Sequence, residues 1–280
     1  MAGRVAELTY YPVKGCAGVT VREASMTPAG LAHDRSFMVV NAEGVFRTQR
    51  GDPRLAVIRP DIGDDGTRLT LRAPDTEPLT LPVDTSGPRR PVELFGTAYR
   101  GIDQRDAAAE WFSDALGSRS RLVRVPPEHD RVTDGRTPGT SGYADSCAVH
   151  VLSRATLGRL TRKLAGNGAP PLPASRFRPN VVIDGWPDPH TEDRAHRLTI
   201  GTTRLAYAKA AIRCAVVLVD QESGRRAGPE PLRTLAGYRR ADRGGVTFGT
   251  KYAVLGPGRL AVGDEVIVTG WGEAEVGAYG

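Results

Sequence analysis

Cysteine is scarce in this 280-residue chain, and its three copies, Cys16, Cys147 and Cys214, are odd in number and far apart. Such spacing excludes a disulfide framework and a CxxC-type zinc site. The five histidines show no HExxH spacing, and His190 and His196 read as exposed loop residues rather than a metal pair. No GxxxxGK[ST] run is present to cradle nucleotide phosphates, and Gly166-Asn167-Gly168 runs into prolines instead of opening a helix. Gly139-Thr140-Ser141-Gly142 has its serine one position short of a nucleophile elbow. No stretch has the roughly 20 apolar residues of a spanning helix, and the first residues lack the basic-then-apolar pattern of a secretory signal. The expected setting is a reducing cytoplasm, with no membrane partner.

Long basic runs are also missing. Lysine and arginine outnumber aspartate and glutamate by 38 to 32, for a net charge of +6. The basic residues are interleaved with acids, however, as Asp61, Asp64 and Asp65 are between Arg54 and Arg72. Without a basic run or an aromatic-basic alternation, a nucleic-acid groove is not expected. The excess charge suits an anionic small molecule.

What is abundant is turn chemistry. Thirty-three glycines and 21 prolines punctuate short runs rich in valine, leucine and threonine, which predicts a soluble, mainly β (α+β) protein with few helices. Strands are expected at 5–11, 19–21, 36–40, 55–59, 68–72 and 79–83. Asn41-Ala42-Glu43-Gly44 and Asp64-Asp65-Gly66 supply turns between them. Residues 104–116 break the pattern with a helix, for which Asp106 is the expected cap and Gly117 the stop. Further strands are expected at 122–125, 148–152, 181–183, 198–200, 205–208, 246–255 and 260–269. Ser153 should cap a helix over 154–164, and 231–238 should form a short one. The Pro- and Gly-rich loop 126–142 reads as a site rim. The expected division is a first β-barrel-like domain over 1–100, a helical connection over 101–120, a second domain over 121–272 and a tail over 273–280.

Two stretches concentrate the chemistry: Phe177-Arg178-Pro179-Asn180, and the apolar run 211–220, which reads as a buried strand with Cys214 at its entrance directly after Arg213. An unpaired cysteine there is either a small core hydrophobe or a thiolate favoured by the neighbouring positive charge. Consecutive strand residues point to opposite faces, so the arginine helps only if the backbone departs from a regular pleat. The residues alone leave both readings open.

Tyr11-Pro12-Val13-Lys14-Gly15-Cys16, Thr27-Pro28-Ala29-Gly30-Leu31 and His33-Asp34-Arg35 resemble the N-terminal β-barrel domain that precedes MOSC domains. Arg176-Phe177-Arg178-Pro179-Asn180, Glu192-Asp193, Arg213-Cys214, Val219-Asp220 with Gly224, Pro231-Leu232-Arg233-Thr234-Leu235, Phe248-Gly249 and Val262-Gly263-Asp264 follow in the order of the MOSC domain itself. Over nearly its whole length the chain is similar to MOSC proteins of the amidoxime-reducing type.

That resemblance implies two packed β-barrel-like halves, with Lys14 and Arg35 facing Arg178 and Cys214 across a cleft. It implies a molybdenum cofactor, molybdopterin, whose metal is held by the dithiolene of a phosphorylated pterin, and a reductase that removes oxygen from N-hydroxylated small molecules. Cys214 then becomes the metal ligand and catalytic residue, a role for which a soft thiolate is suited. Lys14, Arg35, Arg178, Asn180 and Arg213 become the cradle of the pterin phosphate. Cys147, where relatives often carry serine or threonine, is expected in the same pocket. Gly15 and Ala211 also depart from the serine and cysteine common in relatives. Some relatives append an iron-sulfur domain, whereas this chain has no cysteine after Cys214, so a separate electron-transfer protein is the expected donor, drawn by the basic surface. Two other readings stay open: a carrier of sulfur or of molybdenum cofactor, with a persulfide on Cys214, and a specialised biosynthetic enzyme on the same scaffold.

Overall fold

The computed structural model describes residues 2–63, 65–241 and 244–276. Asp64 of the expected Asp64-Asp65-Gly66 turn and the last four residues of the 273–280 tail lie outside the described residues. The chain is mainly β, with three α-helices among the described residues, as the density of turn residues predicts.

Its organising element is a closed barrel of seven strands. In spatial order these are Val181–Asp184, Val149–Ser153, Val246–Gly256, Thr203–Arg213, Ala195–Ile200, Glu265–Trp271 and Gly3–Tyr10, and the last pairs back to the first. All neighbours are antiparallel except Val149–Ser153 and Val181–Asp184, which run parallel and so need the crossover helix Arg154–Gly166. Ser153 caps that helix by accepting from the Thr156 N–H, as its place before an amphipathic run predicts. Closure removes free strand edges. It also lets inward residues of different strands, including Leu8, Val151, Ile183, Leu198, Tyr207 and Tyr252, form one core.

The first half has a core of its own. Phe37–Val40, Arg121–Arg124, Thr97–Asp103 and Arg89–Leu94 form a four-stranded sheet, and Arg59–Ile62, Arg68–Ala73 and Thr76–Pro82 a three-stranded meander. Between them Phe37, Leu55, Leu69 and Leu71 pack against Phe112 of the helix Arg105–Leu116. Because Gly3–Tyr10 completes the barrel, the first strand of the chain belongs to the second half in space. The loop that follows it, residues 11–16, crosses the junction.

Several local expectations are corrected. Residues 55–59 do not form one strand: Pro53–Val57 is a 3₁₀ turn, begun by a proline whose fixed φ suits it, and strand pairing starts only at Arg59. Asp106 does not cap its helix. Asp103 Oδ1 accepts from the Arg105 N–H at 2.9 Å instead, while Asp106 pairs with Arg121. The run 260–269 is two strands, because Asp264 Oδ2 accepts from the Ala261 N–H and turns the chain. Gly258–Ala261 joins Glu23–Thr27, and Glu265–Trp271 enters the barrel. His196 is buried in its strand and stacked on Tyr207, not exposed in a loop. Among the described residues no helix is long and apolar enough to cross a membrane.

Candidate functional site

Between the barrel wall and the first half lies a cavity of about 310 Å³. All seven residues singled out from the sequence line it: Lys14, Arg35, Cys147, Arg178, Asn180, Arg213 and Cys214. They arrive from five separate stretches of chain, and two distinct walls hold them.

The first wall is organised by Tyr11 and Asp34. The guanidinium carbons of Arg35 and Arg178 each lie 4.2 Å from the centre of the Tyr11 ring. Burial pushes the Tyr11 hydroxyl up to about 12, so it stays neutral and donates to Pro179 O at 3.1 Å. Asp34 Oδ1 accepts from the Tyr11 N–H at 2.8 Å and from Asn180 Nδ2 at 3.1 Å. Arg35 Nη1 donates to both carboxylate oxygens of Asp34, at 2.8 and 2.6 Å. Asn180 Oδ1 in turn accepts from Arg35 Nη1 at 3.1 Å and from the His150 N–H at 3.0 Å, and its Nδ2 also donates to Thr9 O. The carboxamide of Asn180 is therefore spent within the protein. It aims Arg35 and ties the barrel to the first half.

Arg35 and Arg178 both adopt left-handed backbone, with φ of 46° and 56°. Each such non-glycine residue costs on the order of 1 kcal/mol and persists only where its surroundings over-determine it, as functional sites do. Lys14 completes this wall. Its ammonium donates to Tyr143 O at 3.0 Å, pairs with Asp145 and lies 4.8 Å from the centre of the Phe95 ring. Burial pulls Lys14 below the usual lysine range against the attraction of Asp145. Burial works to raise Asp145, but the Lys14 charge overrides it and holds the carboxyl below its usual range. The Asp145 side chain stays 65% exposed, so solvent screens this pair.

The second wall carries the thiols. The run 211–220 is not one buried strand: Thr203–Arg213 ends at Arg213, and Ala215–Leu218 forms a 3₁₀ turn whose Val217 N–H returns to Cys214 O at 3.1 Å. Cys214 thus stands at the exit of a strand, not at an entrance. The pleat breaks at that point, so Arg213 and Cys214 both line the cavity, meeting the condition that regular alternation would have denied. The three cysteines sort by environment. Cys16 is core filler in the first half, its thiol pushed up to about 12 by burial. Cys147 is buried, with Sγ 3.9 Å from Asp134 O. Cys214 is a half-buried free thiol.

Two donors, one on each wall, lack partners among the described residues. Arg213 Nη2 donates to Phe177 O at 2.8 Å, yet its Nε is buried without an acceptor, and so is Arg178 Nη2. Burial lowers both arginines, Arg213 to about 10. Both residues line the cavity, so ligand oxygens bound there would satisfy these donors. Sequence reasoning missed Gln49, Arg50, Asp145, Lys209 and Lys251, which also line the cavity. Gln49 and Gln221 exchange amide hydrogen bonds at 3.1 and 3.0 Å across a separation of 172 residues, a pairing with no local signal.

Among the described residues the lining thus holds seven cationic side chains, adding Arg50, Lys209 and Lys251 to those above, against the single carboxylate of Asp145. Such a surface is built for a multiply charged anion. No group of three or more His, Cys, Asp or Glu among the described residues could cage a bare ion. A metal bound at Cys214 must therefore bring ligands of its own.

Residues 2–119 match the MOSC N-terminal beta barrel domain, and residues 138–267 the MOSC domain. Mitochondrial amidoxime-reducing component 1 of Homo sapiens is 35% identical over 288 residues, covering 96% of this chain and 83% of that protein. Mitochondrial amidoxime reducing component 2 of Rattus norvegicus is 32% identical, covering 94% and 82%. Molybdenum cofactor sulfurase of Danio rerio is 31% identical over 264 residues, covering 88% of this chain but 31% of that longer protein. With both domains matched in order and full-length relatives above 30% identity, the chain belongs to the MOSC family that includes the amidoxime-reducing components.

Proposed function

We propose that this protein is a molybdenum-cofactor oxidoreductase that reduces N-hydroxylated small molecules with electrons from a separate protein. The observation that carries the reading is the cavity: one accessible thiol, Cys214, in a lining of seven cations with two orphaned arginine donors. The residues fit a phosphorylated pterin that supplies its own sulfur ligands to the metal. Cys214 provides the one protein thiolate, and Arg178 and Arg213 offer unpaired donors to oxyanions. Its relatives are named for amidoxime reduction and for molybdenum cofactor sulfuration, which supports chemistry of that class.

When bound, the cofactor would supply a metal that cycles between two oxidation states and accepts oxygen from an N–O bond. The chain itself contributes position and charge. Arg35 is locked by Asp34 and Asn180 and presents a fixed positive surface, while Arg178 and Arg213 can donate to phosphate oxygens without giving up protein partners. Phe95 and Phe177 line the cavity beside these charges. The net reaction consumes two electrons and two protons and releases an amine or amidine and water. Three cysteines cannot furnish the four thiolates of a usual iron-sulfur cluster, so these 280 residues do not relay the electrons by that route.

Protein produced in a host that makes the cofactor should contain stoichiometric molybdenum and turn over a hydroxylamine or amidoxime with an artificial reductant. Cys214→Ala should lose most of both. An unchanged molybdenum content in that variant defeats the ligand assignment. The sulfurase relative supports a second reading, a sulfur carrier. Intact mass showing a labile extra sulfur on Cys214, without bound metal, would select it.

A further inference from the structure

The antiparallel pair Thr203–Arg213 and Val246–Gly256 sets Lys209 directly opposite Lys251. Like charges at such positions repel and destabilise a sheet. The register explains how they meet: it shifts between Tyr207 and Lys209, so Ala208 is an extra residue and Lys209 is turned onto the same face as Lys251. Both lysines line the cavity, on the barrel wall that also carries Cys214. Lys209 is neutralised by Asp134, from the loop between Val132–Thr133 and Gly139–Thr140. Lys251 has no hydrogen bond or ion pair among the described residues.

The groups facing Lys251 sharpen this. Across one strand boundary lies Lys209 and across the other His150, held neutral by burial. Arg213 and Arg35 add positive charge, Cys147 adds a thiol, and the one carboxylate in range, Asp145, is already paired with Lys14. Burial, then Arg213 and Arg35, push Lys251 down to about 7. A half-buried lysine left without an ion pair among cations is a cost to the fold. Phosphate recognition already has its own donors in Arg178 and Arg213.

We propose that Lys251, with Lys209 beside it, binds an anionic group of the substrate, so that this protein acts on N-hydroxylated acids rather than neutral N-hydroxyl compounds. The word substrate rests on the reductase reading; the anion site does not. The cofactor phosphate is the other oxyanion that could sit on Lys251, and the test separates the two.

The holoprotein is titrated with benzoate and with benzamide, an isosteric neutral probe, by calorimetry or by ligand NMR. Benzoate should bind about tenfold or more tightly than benzamide, and the preference should fade as pH rises through about 7. Lys251→Met should abolish the preference, Lys251→Arg should keep most of it, and molybdenum and pterin contents should match the wild type in both. Equal binding of the two probes by wild-type protein overturns the proposal without the need for any variant. Reduced pterin in Lys251→Met also overturns it, by assigning the lysine to the cofactor. A carboxylate-bearing hydroxylamine and its carboxamide then give the same comparison in kcat/KM. If the protein holds no molybdenum, the reductase reading fails, while the benzoate preference still stands or falls by itself.

Discussion

The two walls of the cavity are made of the same residue types and handle charge in opposite ways. On the Tyr11–Asp34 side, Arg35 has a carboxylate, a carboxamide and a backbone carbonyl as partners, and Asn180 has no polar capacity left over. On the Cys214 side, Arg213 keeps an orphaned nitrogen, and the Lys251 ammonium has no hydrogen bond or ion pair among the described residues. The closed network buries charge cheaply because every ion is hydrogen-bonded. The open wall leaves that cost standing, which makes sense only if a ligand removes it. A cavity lined by cations is thus two devices: a clamp joining the halves, and a surface waiting for anions.

The comparison can be broken most severely at the clamp. Asn180→Ala removes the acceptor of Arg35 and of the His150 N–H and the donor to Asp34, leaving buried polar groups unsatisfied. It should cost about 3 kcal/mol in urea unfolding. A loss under about 1 kcal/mol would mean that water replaces the amide and the wall is not closed. Arg178→Gln tests the orphaned donors. Its Nη2 has no acceptor among the described residues, so the stability loss should be confined to about 1 kcal/mol from its place over the Tyr11 ring and its long contact to Gln221, while bound pterin measured by fluorescence should fall severalfold. Unchanged pterin would make Arg178 a purely structural residue.

The smallest effect should have the opposite sign. Lys251 titrates near 7 in the fold against 10.5 for an ordinary lysine, so the unfolded chain holds its proton more tightly between those values. Wild-type stability therefore gains from this group as pH rises from 7 towards 10.5, and the penalty is complete below 7. Lys251→Met should accordingly stabilise the ligand-free protein by about 1 kcal/mol at pH 6, less than the full shift because cavity water screens the charge, with the gain shrinking at higher pH. Thermal melts of the two proteins at pH 6 and pH 9 check the sign. A variant less stable than wild type at pH 6 would show that Lys251 is already satisfied.

Much of this was legible before the fold was known. Short apolar runs between glycines and prolines announce a mainly β chain, and Ser153 ahead of an amphipathic run announces a capped helix, because both are local properties. Residues 11–16, 33–35, 176–180 and 213–214 stand out as ordered motifs, and the fold gathers Lys14, Arg35, Arg178, Asn180, Arg213 and Cys214 from them around one cavity. What failed was also local. Residues 215–219 are apolar in a row, yet hydrophobicity cannot tell a strand from a 3₁₀ turn that packs Val217 into a core. Asp106 sits at a plausible capping position, but Asp103 reaches the Arg105 N–H first.

The sequence by itself determined the class of structure, the punctuation of its strands and a set of residues able to bind anions and a soft metal, since propensity, turn chemistry and side-chain type belong to each residue alone. Tertiary structure decided the rest. It made the chain's first strand the seventh stave of a barrel otherwise built after residue 148, and broke the pleat so that Arg213 and Cys214 share a cavity. It also brought Lys209 level with Lys251 through one extra residue. Which donors remain unpaired depends on register and closure, and those are set by contacts between residues far apart in the chain.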